Sequence, residues 1–264
     1  MQFRILGGDK RFEILKNMLL SSGHTINDDA HIIILPLPVS RDGETLNAPN
    51  ESAAILLSEI VHAADEGDIF FGGMIPPEFA AKLRAAGAVT FDYNEYPQFA
   101  ELNAVPTAEG ALALAVENTD YSLFGAKCLV SGYGRIGKIL SRYLKSLGAE
   151  VTVSARKQSD FDIADKNGTD HIHSGEIARH ITDFPLIFNT VPHRIFGNDA
   201  IKAAEKGTLY IELASAPYGV DFAEAGKAGI RVINAPSLPA KVAPVTAAKN
   251  IKDTIFHIMQ EEFI

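Results

Sequence analysis

The residues with the clearest chemical meaning are three glycines in the run Gly132-Tyr133-Gly134-Arg135-Ile136-Gly137. The apolar run CLVS precedes them, an amphipathic stretch ending at Leu147-Gly148 follows, and a second apolar run, EVTVSAR, comes after that. In a strand-turn-helix-strand unit this spacing has a physical purpose. The first glycine permits the tight turn, the second lets main chain approach a pyrophosphate, and the third lets helix and strand pack closely. Amides in the first helical turn, together with the helix dipole, then hold the negative charge. Residues 132–137 are therefore expected to bind a dinucleotide. A glycine turn without a ligand is the competing reading, and the flanking strands and helix weigh against it.

The residues after the second run select between the two nicotinamide cofactors. A site for NAD usually carries an acid there to accept from the ribose hydroxyls. This chain has Ser154, Ala155, Arg156 and Lys157 instead. Arg156 can fork onto a 2′-phosphate with Lys157 beside it, and Ser154 can donate a further hydrogen bond, so NADP is the expected cofactor. The alternative is a solvated basic pair at a strand end.

Such a turn needs a scaffold, and the chain supplies one in the alternation of short apolar runs with helix-length amphipathic stretches. That pattern predicts an α/β fold with open parallel sheets. In the first third, strands are expected at Phe3 to Leu6, Ile32 to Leu35, Ile69 to Gly72 and Val89 to Phe91, about four in all. Helices are expected from Lys10 to Ser22, Glu51 to Ala64 and Pro76 to Ala86. The stretch PTAEGALALAVENTDYSLFG predicts a connecting helix starting near Thr107. Beyond it, strands are expected at Lys127 to Ser131, Val151 to Ser154, Leu186 to Asn189, Leu209 to Glu212 and Val232 to Asn234, with a helix from Arg135 to Leu147. The domain expectation is an N-terminal α/β substrate domain over 1–105, a connecting helix over 106–119, and a Rossmann dinucleotide-binding domain over 120–245. A C-terminal helix over 246–264 would return to the first domain.

Composition narrows the partners. Lys and Arg number 24 against 33 Asp and Glu, a net charge of -9, and no basic cluster offsets it, so nucleic acid is not an expected partner. Cys128 is the single cysteine and cannot form an internal disulfide. The start, MQFRILGGDK, has no basic-then-apolar leader, and runs such as HIIILPLPV are too short to span a bilayer. A cytoplasmic chain with no membrane partner is expected.

Several segments carry a more specific resemblance: GGDKR, ILPLPVSRDG, PTAEGALALAVENTDYSLFG, GYGRIGK, NTVPHRIF, ELASAPYGVDF and INAPSLPAKVAP. In their order and spacing the chain resembles the family of dipicolinate synthase A subunits, related in architecture to two-domain hydroxyacid and alanine dehydrogenases. The resemblance implies NADP-dependent oxidation of a dihydrodipicolinate-type precursor from the lysine pathway to pyridine-2,6-dicarboxylate, for sporulation. It also implies a smaller flavoprotein-like partner, the B subunit of dipicolinate synthase, with a homo-oligomer expected. The stretch between Ser22 and His31 is short for this family, which leaves the size of the first sheet open. Two alternatives stay open: a non-catalytic NADP-binding regulatory subunit, and a dehydrogenase of another small amino or hydroxy acid.

A planar dicarboxylate substrate needs two anion sites, and its oxidation needs a proton acceptor. Ser40 and Arg41 follow the HIIILPLPV strand on the side where α/β sheets bind ligands. Arg41 is expected to fork onto one carboxylate with Ser40 donating to it, against the reading of a surface loop. Thr107 is expected at the positive end of the connecting helix, as a second anion site or a plain N-cap. The resemblance implies that Thr190, Val191 and Pro192 run beside the nicotinamide. His193 follows them and is of the residue type suited to proton uptake near neutrality, with a surface role as the alternative. Ser215, after the strand LYIELA, is a second candidate catalytic group or simply part of a turn. His171 and His173 read as strand-end polar residues, with no metal expected.

Overall fold

The computed structural model describes residues 1–263 and divides into two compact units, residues 1–103 with the stretch from Ala243, and Ala104–Val242. In the first unit the elements run β1 (Gln2–Ile5), α1 (Lys10–Ser21), β2 (Thr25–Ile26), β3 (Ile32–Ile34), α2 (Leu57–His62), β4 (Ile69–Gly72), α3 (Pro77–Ala85) and β5 (Val89–Asp92). The helix α4 (Pro97–Asn118) follows. The second unit continues with β6 (Lys127–Ser131), α5 (Arg135–Ser146), β7 (Glu150–Ala155), α6 (Gln158–Lys166), β8 (Asp170–His173) and α7 (Ile177–His180). Then come β9 (Leu186–Asn189), α8 (Asn198–Ala203), β10 (Leu209–Glu212), α9 (Phe222–Lys227), β11 (Arg231–Asn234) and α10 (Leu238–Val242), and α11 (Pro244–Phe263) ends the chain's described part. The fold is α/β with two open parallel sheets, as the alternation predicts.

The first sheet has five strands in the order β2-β1-β3-β4-β5, all parallel. The expected count of four misses β2, whose two residues pair with Gln2 and Phe3 and are too few to make a periodic signal. The helix expected from Glu51 to Ala64 shrinks to Leu57–His62. Its predicted first half is held extended, because Leu46 N–H donates to Ile55 O, Leu57 N–H donates to Glu44 O, and Thr45 bridges Leu56. On this unit α11 packs against α1: Ala248, Ile251, Ile255 and Ile258 join Phe12, Leu15 and Leu19 in one buried cluster.

The second sheet has six parallel strands in the order β8-β7-β6-β9-β10-β11. This is the doubly wound Rossmann order, and its reversal lies between β6 and β9. Its strands read as continuous apolar runs because both faces are covered. Cys128 and Val130 of β6 feed one buried layer and Leu129 the other; Leu186 and Phe188 of β9 alternate with Ile187, and Leu209 and Ile211 of β10 with Tyr210. Burial pushes the Cys128 thiol up to about 12. Among the described residues no helix is long and apolar enough to cross a membrane.

The connecting helix starts earlier than expected. α4 begins at Pro97 and carries Pro106 inside it, so Thr107 lies in mid-helix and not at an N-terminus. The proline that signalled a boundary is accommodated within the helix, and the anion site expected on the amides after it does not exist there.

Candidate cofactor site

Gly132 takes φ +91, and a Cβ there would lie 2.4 Å from Thr190 Oγ1 and 2.8 Å from Val191 Cγ2. Only glycine allows this turn to run so close under the end of β9. At Gly137 an added Cβ would sit 2.0 Å from the Gly132 carbonyl oxygen, so the first turn of α5 rests directly on the loop. Gly134 differs from both: a Cβ built there meets nothing within 4 Å. Gly134 is also the N-cap of α5 and no side chain caps that helix. The turn thus presents an open, uncapped helix start, the form that accepts a pyrophosphate.

The neighbouring side chains divide into those that face outward and those that do not. Arg135 is exposed and Ile136 half-buried. Tyr133 is 4% exposed and its hydroxyl accepts from Asn167 Nδ2 at 3.1 Å, so this residue contributes main chain and not a side chain to the turn. Arg156 and Lys157 are exposed just beyond β7, with Lys157 as the N-cap of α6. Ser154 corrects the expectation. It is fully buried with its Oγ 3.1 Å from Ser131 Oγ, because the parallel register sets the two serines opposite each other on one face. Its hydroxyl cannot reach a ribose phosphate.

At the end of β9, Thr190 is locked over the glycine turn: its N–H and its Oγ1 both donate to Ser131 O at 2.9 Å. Val191 is half-buried, whereas Pro192 and His193 are exposed. Ser215 is exposed in the loop after β10, where its carbonyl accepts from Tyr218 N–H at 3.2 Å. Tyr218 adopts φ +61, a left-handed conformation uncommon for a non-glycine residue.

A buried acid that sequence reasoning missed joins these two loops. Glu212 is fully buried at the end of β10. Its Oε1 accepts from Asn189 Nδ2 at 2.7 Å and Ala214 N–H at 3.0 Å. Its Oε2 accepts from Gly219 N–H at 2.8 Å and the Tyr210 hydroxyl at 3.2 Å. Asn189, register partner of Glu212, also donates to Val191 O at 2.9 Å and accepts from Val191 N–H at 3.1 Å. Burial pushes the Glu212 pKa above its ordinary value, while the four donors pull the other way. Three of those donors are N–H groups, a set that a carboxylate satisfies better than a neutral acid does. The missed signal was a lone acid ending an apolar strand.

In the first unit, Ser40 does not stand ready for a ligand. Its hydroxyl donates to Asp42 Oδ1 at 3.0 Å and accepts from Gly43 N–H at 2.9 Å. Asp42 gathers Thr45 and Glu44 N–H as well, which holds its carboxyl well below the usual range. Arg41 is exposed, with Nε donating to Asn47 Oδ1 at a long 3.3 Å. His171 stacks on Phe161 with ring centroids 4.5 Å apart, and His173 Nδ1 accepts from Gly175 N–H at 3.1 Å.

No family model matches the chain. It is 35% identical over 167 residues to the A subunit of dipicolinate synthase from Bacillus subtilis, an alignment covering 63% of this chain and 56% of that protein. The matched region thus spans little more than half the length of the curated relative. In fold the similarity is wider. The crystal structure of the A subunit of dipicolinate synthase from Bacillus halodurans superposes with a TM-score of 0.90 at 25% identity, covering 98% of this chain and 97% of that one. The corresponding crystal structure from Bacillus subtilis gives 0.88 at 26%, over 99% and 96%. By sequence over one long stretch and by fold from end to end, the chain is similar to dipicolinate synthase A subunits.

Proposed function

We propose that this chain is an NADP-dependent oxidoreductase component that acts in the cytoplasm and converts a dihydrodipicolinate-type precursor to pyridine-2,6-dicarboxylate. The observation that carries this reading is the uncapped start of α5 beside an open Gly134, within a chain similar to the A subunits of dipicolinate synthase. The glycine turn fits a dinucleotide because its one unobstructed glycine coincides with the helix end that attracts an anion.

When bound, NADP supplies a two-electron acceptor. The chain's own residues bind and orient. Main-chain amides opening α5 hold the pyrophosphate, and Arg156 with Lys157 takes the 2′-phosphate through charge-assisted hydrogen bonds. Thr190, Val191 and Pro192 form the rigid rim on the far side of the turn. Arg41 is proposed as the fork for one substrate carboxylate, and its exposure leaves the guanidinium accessible. Aromatising a dihydropyridine ring removes two hydrogens, one leaving with its electron pair to the acceptor and one as a proton. His193 takes that proton, and Ser215 orients the ring from the loop after β10. The partner proposed is a smaller flavoprotein-like second chain, in keeping with the relatives' being named as one subunit of a synthase.

The test is an assay of the purified chain with precursor and NADP, with and without that second chain, following cofactor and product absorbance together. NADPH and product rising in equal amounts are expected. Product formation with no change in NADPH would contradict the reading.

A further inference from the structure

Glu212 itself carries no binding or catalytic role in the proposed reaction, yet its network fastens the loops that hold several residues that do. On the reading under Proposed function, we propose that Glu212 is a positioning residue that presets the loops after β9 and β10 to receive the nicotinamide half of the cofactor. The carboxylate reaches both loops. Through Asn189 it fixes both main-chain groups of Val191, and through its own oxygens it fixes the amides of Ala214 and Gly219. Gly219 is then the knot between the loops, since its carbonyl accepts from Ile195 N–H at 3.2 Å and Phe196 N–H at 3.0 Å.

The knot tolerates no slack. A Cβ on Gly219 would lie 2.4 Å from both Asn189 Nδ2 and Tyr210 Oη. Beside it, Tyr218 is kept in its left-handed conformation at φ +61, and such strain persists only where the surroundings over-determine it. The loops so fastened occupy the carboxyl ends of β9 and β10, the edge at which open α/β sheets bind ligands. None of the four donors to Glu212 is an exposed side chain, so the carboxylate acts through main chain and not by contact with substrate. Sites held in place by buried second partners lose function when those partners loosen them by about 1 Å.

The experiment compares wild type with Glu212→Gln and, as a milder change, Tyr210→Phe. The glutamine amide would turn an N–H group toward donors, leaving the knot short of an acceptor. Three measurements are made on each protein: hydrogen exchange at Val191, Ala214 and Gly219, affinity for 2′,5′-ADP, and nicotinamide fluorescence of bound NADPH. For Glu212→Gln, exchange at those amides should accelerate by about tenfold or more while β6 and β7 stay protected. Affinity for 2′,5′-ADP, which engages only the adenosine side, should stay within about threefold of wild type, since that side shares no partners with the network. Fluorescence per bound NADPH should fall by roughly half or more, and Tyr210→Phe should move it in the same direction by less. If Glu212→Gln does not fold, Tyr210→Phe alone decides. Faster exchange with unchanged nicotinamide fluorescence would overturn the positioning role and leave a merely structural acid. Failure of the wild type to bind NADPH at all would instead overturn the reading on which the proposal rests.

Discussion

Each sheet has a glycine turn after the strand that opens it in sequence, Gly7-Gly8-Asp9 between β1 and α1, and Gly132-Tyr133-Gly134 between β6 and α5. The first is filled from within. A Cβ on Gly8 would lie 2.4 Å from the Phe12 ring, and one on Gly7 would lie 2.7 Å from Leu46 Cδ2. Asp9 caps α1 by accepting from Arg11 N–H at 3.0 Å, and the buried Arg11 guanidinium closes back on that carboxylate at 2.8 Å while donating to Leu37 O at 2.7 Å. The helix end therefore already carries its anion, and the anion its counter-charge. The second turn has no capping side chain, and its central glycine faces open space. On the proposed reading, what would make the second glycine turn a ligand site is the amide end of the helix left open, more than the glycines themselves.

The sharpest way to break the second turn is Gly137→Ala. The new methyl meets the Gly132 carbonyl at 2.0 Å, main chain that cannot swing aside, and overpacking of this kind costs about 3 kcal/mol. Urea unfolding followed by circular dichroism should register that loss in the second unit.

The first turn is opened by Arg11→Ala, which strips Asp9 of its charge-assisted hydrogen bonds and should cost about 2 kcal/mol. Burial of Asp9 acts to raise its pKa, but the Arg11 hydrogen bonds and charge outweigh it and hold the carboxyl below its ordinary 3.8. A depressed folded value means stability that is present above the unfolded pKa and lost as pH falls through the folded one. Arg11→Ala removes the side-chain part of that depression while the residue-11 N–H still caps Asp9, so acid unfolding of the first unit should begin at a higher pH than in wild type. An unchanged acid midpoint would mean that Arg11 does not counterbalance Asp9.

Arg156→Ala should leave folding unchanged, because its side chain is exposed. If it binds the 2′-phosphate, NADP affinity should fall roughly ten- to a hundredfold while NAD affinity stays constant. Titration of both cofactors checks this, and equal losses for the two would remove Arg156 from the site.

The open turn was legible in the sequence because everything it needs is local: three glycines, a strand before and a helix after. Strands buried on both faces were legible too, as apolar runs, and Ile69–Gly72, Lys127–Ser131, Leu186–Asn189 and Leu209–Glu212 lie where the runs predict. The same double burial hid which way a polar residue points. Ser154 read as a phosphate ligand because it ends a strand near Arg156, whereas strand pairing turns it onto Ser131. Glu212 was invisible because its partner Asn189 lies 23 residues away and meets it only through sheet register. Pro106 misled for the opposite reason, a strong local signal overruled by its surroundings.

The central claim is that the amide end of α5 at Gly134 receives the pyrophosphate of NADP, and Gly134→Ala tests it most directly. The backbone there, at φ -81 and ψ -157, suits alanine, and the added methyl meets no atom of the protein. Stability should therefore change by no more than about 1 kcal/mol, the scale of an altered N-cap. The methyl would stand where phosphate must approach the main chain, so calorimetric titration should find NADPH affinity lowered by about tenfold or more. Wild-type affinity in a folded Gly134→Ala protein would contradict the account.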